Sequence, residues 1–188
     1  MPTESGSFDK LYAEGIEHPP ERIEVYSEAA RMIGNTAARI VDLGCGDGTF
    51  ANCLHKWGFT KYSGYDFSEV ALKECIKYEG FSFTHCDLRY WNPGVEVEDG
   101  STIYTCLEVL EHVENDHAIV AKIPTGYNFV FSVPTFPSDN HLRVFPRPSD
   151  VWKRYQDLLL MKRWSHIDVG GGKAIHVCQG IRRSDSWL

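Results

Sequence analysis

The stretch Val41-Asp42-Leu43-Gly44-Cys45-Gly46-Asp47-Gly48-Thr49-Phe50 constrains this chain more than any other. An apolar run, Ile40 to Leu43, stops at three glycines in alternate positions, and Ala51, Cys53, Leu54 and Trp57 then recur at helical spacing. The pattern is a strand, a glycine turn and a helix. Glycine opens positive φ and leaves no Cβ between the main chain and a ligand. The helix that follows offers unpaired N–H groups and the positive end of its dipole. Such a turn holds part of a small molecule against the backbone. Two phosphate-binding readings fail on the residues themselves. A dinucleotide fingerprint needs a third glycine where Thr49 stands, and a P-loop needs a Gly-Lys-Ser/Thr ending. The flanking acids Asp42 and Asp47 repel a pyrophosphate and suit a cation.

Downstream, apolar strands alternate with helical patterns. Tyr62 to Asp66 is a second strand ending in an acid, and Ser68 caps a helix running to about Tyr78. Phe81 to Cys86 is a third strand, followed by Asp87-Leu88, and residues 89–100 form a loop. Ser101 to Leu107 is a fourth strand leading into Glu108, Glu111 and His112, with a helix from Glu114 to Ile123. Asn128 to Val133 lacks polar alternation, as a strand buried on both faces does. A proline-punctuated loop, 134–148, precedes a helix from Ser149 to Leu160. Two strands, Met161–Val169 and Ala174–Ile181, close the chain around Gly170-Gly171-Gly172 as an antiparallel hairpin. Upstream, Phe8, Leu11 and Tyr12 mark one short amphipathic helix. Glu21 to Ile33 is a second, with Ile23, Tyr26, Ala29, Ala30 and Ile33 inward. Alternation of this kind makes an α/β fold: a Rossmann-like, mostly parallel seven-stranded sheet with helices on both faces and ligands at the carboxyl ends of its strands. The glycine turn, Asp66, Asp87 and Glu108 all fall at such ends. Asp66 can accept from two ribose hydroxyls.

The glycine string resembles motif I of the class I S-adenosylmethionine-dependent methyltransferases, whose last strand runs antiparallel. The resemblance covers about residues 8–183. It implies S-adenosyl-L-methionine as methyl donor and S-adenosyl-L-homocysteine as product. The cofactor residues it implies are Asp42, Gly44, Cys45, Gly46, Gly48, Asp66, Phe67, Asp87, Leu88, Leu107 and Glu108. In this picture Asp87 accepts from the adenine amino group while Leu88 walls the ring, and Tyr12, on a segment folding over the cofactor, lies near the methyl group.

The spacing Glu108-x-x-Glu111-His112 puts i, i+3 and i+4 on one face of a helical turn. Two carboxylates and an imidazole there make a magnesium or manganese site, a base cluster, or a structural network at the start of the helix. The pattern also resembles two family branches, the O-methyltransferases of ubiquinone biosynthesis and the small-RNA 2′-O-methyltransferases; the second needs a later histidine, which His141 matches, and makes His112 or His141 the candidate general base beside Glu111. The loop with Phe136, His141, Arg143 and Phe145 is expected over the acceptor. No Asn/Asp-Pro-Pro-Tyr motif of amino methylation follows the fourth strand, so oxygen is the expected acceptor atom. The acceptor itself is expected to be a small anionic or sugar-like molecule. RNA-end methylation and a non-catalytic cofactor-binding subunit are the alternatives.

At 188 residues, 43% hydrophobic and 24% charged, the chain suits one domain. Residues 1–34 would cover the site, 35–183 form the core, and 134–148 face the acceptor. A net charge of −7 argues against a broad nucleic-acid surface. However, His141 to Arg163 holds six basic residues against Asp150 and Asp157. No apolar run reaches membrane-spanning length, the N-terminus does not read as a signal peptide, and six scattered cysteines read as reduced core thiols. The expectation is a cytoplasmic monomer or homodimer that makes no membrane contact.

Overall fold

A computed structural model describes residues 4–15, 19–94 and 100–184. Its elements run α1 (Glu4–Ala13), α2 (Pro20–Ile33), β1 (Arg39–Leu43), α3 (Thr49–Lys56), β2 (Lys61–Asp66), α4 (Glu69–Glu74), β3 (Phe81–His85), β4 (Ile103–Leu107), α5 (Asp116–Lys122), β5 (Asn128–Pro134), α6 (Pro148–Tyr155), β6 (Leu159–Asp168) and β7 (Ala174–Arg182). The seven strands form one sheet in the order β3-β2-β1-β4-β5-β7-β6. Strands β3 through β5 of that order are parallel, and β7 runs antiparallel to both β5 and β6. The mostly parallel seven-stranded sheet with an antiparallel last strand is thus the observed one.

The order explains where a ligand goes. The chain builds β1, β2 and β3 outward in one direction and then crosses back to lay β4 on the other side of β1. Helices leave the two sides of that switch on opposite faces, and a crevice opens between them at the strands' carboxyl ends. Alternation along β1 feeds both faces. Ile40 packs with Val25, Tyr26, Ala29 and Ile33 of α2 and with Phe50 and Leu54 of α3. Val41 and Leu43 pack with Ile119 and Val120 of α5, Tyr155 of α6 and the strand residues Tyr104, Phe129 and Phe131.

Local departures from the sequence expectation have physical causes. The helix after Ser68 stops at Glu74 rather than near Tyr78. Cys75 turns extended, with its thiol donating to Gly46 O at 3.5 Å. Tyr78 leaves the helix to stack on His55 with ring centroids 3.6 Å apart and to donate its hydroxyl to Asn52. The last helix ends at Tyr155 because Leu159 is already in the sheet, paired with Arg182. In α2, Val25 and Met32 are buried while Ile23 is exposed, and Trp57 caps α3 with its ring partly in solvent. Residues 89–94 hold no α-helix, as expected, and the remainder of that loop through 99 lies outside the described residues. No helix among the described residues is long and apolar enough to cross a membrane.

Candidate active site

The glycine turn is held from β2. Gly44 N–H and Cys45 N–H both donate to Tyr65 O, at 2.7 and 3.1 Å, which bends the chain sharply off β1. Gly44, Gly46 and Gly48 have φ of 85°, 55° and 77°. At two of them, shape as well as conformation demands glycine. A Cβ on Gly44 would lie 2.4 Å from Val109 Cγ2, and one on Gly46 would lie 2.6 Å from the Tyr12 hydroxyl oxygen. Thr49 donates its N–H and hydroxyl to Asp47 Oδ1, at 3.0 and 2.7 Å. The residue that breaks the dinucleotide pattern therefore anchors an acid at the turn.

Asp42 turns the other way. It is buried, and accepts from Tyr62 Oη at 2.5 Å and Thr105 Oγ1 at 2.6 Å. Burial raises its pKa, and the two hydroxyls counter that. With an oxygen on each hydroxyl, Asp42 ties β2 and β4 to β1; the acid facing the turn is Asp47. Asp66 ends β2 only 5% exposed, and takes Gly46 N–H on Oδ2 and Ser68 N–H on Oδ1, both at 2.8 Å. Burial raises its pKa against those hydrogen bonds. Ser68 caps α4 by accepting Ala71 N–H, as its place in the sequence implies. The Phe67 main chain also hydrogen-bonds this carboxylate, so of about four acceptor positions most are already used by the chain.

The third strand end is less open than expected. Asp87 is bridged by the Arg89 guanidinium, with Nε at 2.9 Å from Oδ2, and that side-chain hydrogen bonding holds its pKa below the usual carboxylate range. Leu88 is buried, in the core cluster with Trp91 and Tyr104, and Phe67, the residue after Asp66, is half-buried. Phe67 and Phe8 of α1 are edge to face at 5.8 Å.

At the fourth strand, the helical-turn expectation fails. Residues 108–112 form a turn that leaves β4 through Glu108 at φ 56°, and α5 begins only at Asp116. Consequently Glu108 does not join Glu111 and His112. It accepts from Ser132 Oγ at 2.8 Å, across the ladder between β4 and β5 where Leu107 pairs with Ser132. Leu107 itself is buried. In Glu108's place the structure brings His141, and ligand atoms of Glu111, His112 and His141 all lie within 4.8 Å of one another. Glu111 is 0% exposed, and among the described residues neither of its carboxylate oxygens has a hydrogen-bond partner. Burial, then the nearby Glu108, push its pKa well up. The two rings are oriented by the acceptor loop: His112 Nδ1 lies 2.9 Å from Asn140 O and His141 Nδ1 lies 3.0 Å from Phe136 O. An orphaned buried carboxylate beside two imidazoles fits a divalent cation, whose charge would replace the missing donors.

Helix α1 covers both halves. Phe8 meets His112 edge to face at 5.1 Å as well as Phe67, and Asp9 accepts from Ser68 Oγ at 2.5 Å. The Tyr12 hydroxyl lies over Gly46, where burial, Asp66 and Asp47 all raise its pKa. Sequence reasoning missed Arg22, on α2. Burial opposes its charge, yet Tyr26, Glu108 and Tyr12 around it outweigh that and raise its pKa. A basic residue two places into a helix preceded by Pro19-Pro20 was the available signal.

The basic stretch also reads differently in three dimensions. Arg143 and Arg154 converge on buried Asp116, at 3.7 and 2.5 Å, and Arg147 pairs with Asp150. Arg143 further donates to the main-chain carbonyl of Val113, and Phe145 is in the core. Of the four loop residues named from the sequence, His141 lies beside Glu111 and His112, with the Phe136 ring 5.9 Å from its own. A cavity of about 560 Å³ is lined by His117, Arg143, Phe145, Asp150 and Arg154.

Comparison with known proteins gives a consistent result. Residues 17–145 match a sequence family described as a methyltransferase domain. A ubiquinone biosynthesis O-methyltransferase of Neisseria meningitidis is 26% identical over 195 residues, covering 91% of this chain and 78% of that protein. The N-methyltransferase NodS from Bradyrhizobium japonicum, in complex with S-adenosyl-l-homocysteine, superposes with a TM-score of 0.77 at 13% identity, covering 96% of this chain and 99% of that one. The [4+2]-cyclase SpnF superposes with a TM-score of 0.74 at 10% identity, covering 97% of each chain. The last pair of structures makes a caution concrete: this fold is shared by proteins named for different chemistry.

Proposed function

The chain belongs to the S-adenosylmethionine-dependent methyltransferase family, and from that premise we propose that it methylates an oxygen of a small, sugar-like or anionic molecule. One observation carries the oxygen assignment: a buried carboxylate without partners, Glu111, beside His112 and His141. An amine that arrives neutral needs no base to attack. A hydroxyl must lose its proton, and a cluster of proton-accepting groups is what that step uses. Commitment of Arg143 to main-chain carbonyls and Asp116 makes the sugar-like acceptor the better supported of the two.

In this reading the chain works as one domain. The turn Gly44–Gly48, with Cys45, lies against the methionine part of the donor. Asp66 uses what acceptor capacity remains for the ribose hydroxyls, and Phe67 and Asp87 meet the adenine. Leu107 and Glu108 form the floor beside the sulfonium, and Arg22 supplies a cation for the donor's carboxylate. Methyl transfer is an in-line displacement in which the donor's positive charge disperses and the leaving sulfur departs neutral. Much of the rate therefore comes from alignment, provided by the cleft walls and by Phe8 and Tyr12 of α1. Glu111, His112 and His141 take the acceptor's proton or hold a magnesium or manganese ion, which when bound lowers the pKa of a coordinated hydroxyl.

The test is transfer of a labelled methyl group to a panel of phenols, vicinal diols, sugars and amines, with the methylated atom located by fragmentation mass spectrometry. We expect O-methyl products and a loss of at least about 100-fold in kcat for His112→Ala or His141→Ala, in the range of lost general-base catalysis. Cofactor affinity by calorimetry should hardly change in either variant. Methylation of nitrogen alone, or full turnover in both variants, would overturn the reading. RNA-end 2′-O-methylation is the second reading, favoured by the same convergence of His141 on Glu111 and His112. Transfer to a 3′-terminal ribose of a short RNA would select it.

A further inference from the structure

Two of the six free cysteines meet at the glycine turn. Cys45 belongs to the turn itself, and Cys75 follows α4, where the backbone becomes extended after Glu74. Their sulfurs close on one carbonyl: Cys75 Sγ is 3.5 Å and Cys45 Sγ 3.9 Å from Gly46 O. The Cys75 thiol hydrogen-bonds Cys45, and that contact, then burial, then Asp42 and Asp66, push the Cys45 pKa well up. Cys45 is therefore the member of the pair that keeps its proton. Gly48 leaves room for the meeting, since a Cβ there would lie 3.0 Å from Cys75 Sγ. Both cysteines are buried, yet Cys75 lines an opening of about 410 Å³ together with Glu69, Leu72, Lys73 and Lys77. Cys75 is the sulfur that a solute in this opening meets first.

We propose that Cys45 and Cys75 form a reversible modification site, in which a small-molecule disulfide oxidises the pair and the resulting bridge weakens the turn's hold on the methyl donor, an inference that rests on placing the donor against Gly44–Gly48. The Cys75 thiolate attacks one sulfur of the small disulfide, forming a mixed disulfide and releasing one equivalent of thiol. The Cys45 sulfur, its proton passed to water, then attacks the Cys75 sulfur and expels the second equivalent. Two electrons and two protons leave the pair, and the oxidant ends as two thiols. Lys73 and Lys77 at the opening suit an oxidant that carries carboxylates, such as glutathione disulfide. A disulfide holds its sulfurs far closer than a thiol–thiol contact does. Cys75 is tied to α4 through its N–H on Leu72 O at 3.3 Å, so the turn that carries Cys45 is the part that shifts. Gly46, whose N–H Asp66 accepts, moves with it.

The experiment equilibrates the whole chain with reduced and oxidised glutathione in varied ratio, and locates any bridge by mass spectrometry of unreduced peptides. We expect one Cys45–Cys75 disulfide. S-adenosylmethionine affinity by calorimetry should be about tenfold weaker than for the reduced protein, and dithiothreitol should restore it. By linkage, saturating S-adenosylmethionine must then favour the reduced pair by the same factor, which raises the pair's reduction potential by about 30 mV. Cys75→Ser should keep the cofactor affinity of the reduced protein and lose the response to oxidised glutathione. Cys45→Ala should instead accumulate the mixed disulfide on Cys75. Oxidation confined to the partly exposed Cys86, or a pair that stays reduced in excess oxidised glutathione, overturns the site. A bridge that leaves cofactor affinity unchanged, while Gly44→Ala still abolishes binding, overturns its effect on the turn. If Gly44→Ala also binds normally, the placement of the donor at the turn fails with it.

Discussion

Asp66 and Glu111 are both buried carboxylates near the carboxyl ends of parallel strands, yet their surroundings are opposite. Asp66 receives a main-chain N–H on each oxygen, while Glu111 receives nothing. In the half of the site between β1 and β3 the acids Asp42, Asp47, Asp66 and Asp87 all have partners in the chain itself. The half between β4 and the 134–148 loop is built around a buried carboxyl group with no hydrogen-bond partner among the described residues. A binding surface of the first kind can be stable and preorganised. One of the second kind is held in place by its surroundings at an energetic cost, which marks groups kept for chemistry.

The contrast can be broken or sharpened by substitution, beginning where the largest effect is expected. Asp116 is the fully satisfied counterpart on α5, accepting from Arg154 and from Tyr155 Oη at 2.7 Å. Asp116→Asn should lower stability by about 3 kcal/mol at pH 7, the scale of breaking a buried ion pair, in urea denaturation. Burial alone would raise the Asp116 pKa, but the Arg154, Tyr155 and Arg143 interactions win and depress it. A depressed carboxylate contributes stability that is present above its unfolded value, near 4, and is lost as pH falls through the folded value. The wild-type advantage should therefore shrink below about pH 4; an unchanged gap at pH 3 would contradict the assignment.

Gly44→Ala comes next. A methyl group 2.4 Å from Val109 at φ 85° should cost about 2 kcal/mol from strain and overpacking together, and move the turn. Cofactor titration of the variant should fail at concentrations that saturate wild type. Glu111→Met tests the other half in the opposite direction. Removing a buried carboxyl group that has no hydrogen-bond partner should raise stability by about 1–3 kcal/mol while abolishing methyl transfer. Lower stability in that variant would mean that Glu111 has a structural partner. Asp66→Ala leaves the fold aside and should cost about 1–3 kcal/mol in cofactor affinity by calorimetry. Unchanged affinity would sink the ribose placement.

The sequence makes the partnered half readable and the half around Glu111 only partly so. The turn Gly44–Gly48, Asp66 and the cap at Ser68 depend on neighbours close in the chain or on adjacent strands, and their residue types state the conformations they adopt. The mostly parallel sheet and the terminal hairpin follow from alternation and from Gly170-Gly171-Gly172. Leu88 shows the limit: a residue after a strand-end acid can turn inward, and nothing local says so. Glu108 and His141 show it more fully. Helical spacing grouped Glu108 with Glu111, but the positive φ at Glu108 and the Ser132 hydroxyl on β5 dissolve that grouping. His141 arrives by a loop whose path is fixed by contacts such as Leu142 N–H to Glu111 O at 2.8 Å, a pairing far apart in sequence. Two of the six basic residues of that stretch, Arg143 and Arg154, likewise converge on Asp116, which lies outside it.

Glu108 is the one described residue other than glycine with positive φ. A left-handed conformation costs an ordinary residue about 1 kcal/mol, which glycine does not incur. Position 108 is therefore subject to two selections that disagree. A library of variants sorted only for folding should drift toward glycine or asparagine there. The same library sorted for methyl transfer should return glutamate, and the distance between those two winners would measure how much backbone ease this turn gives up for its side chain.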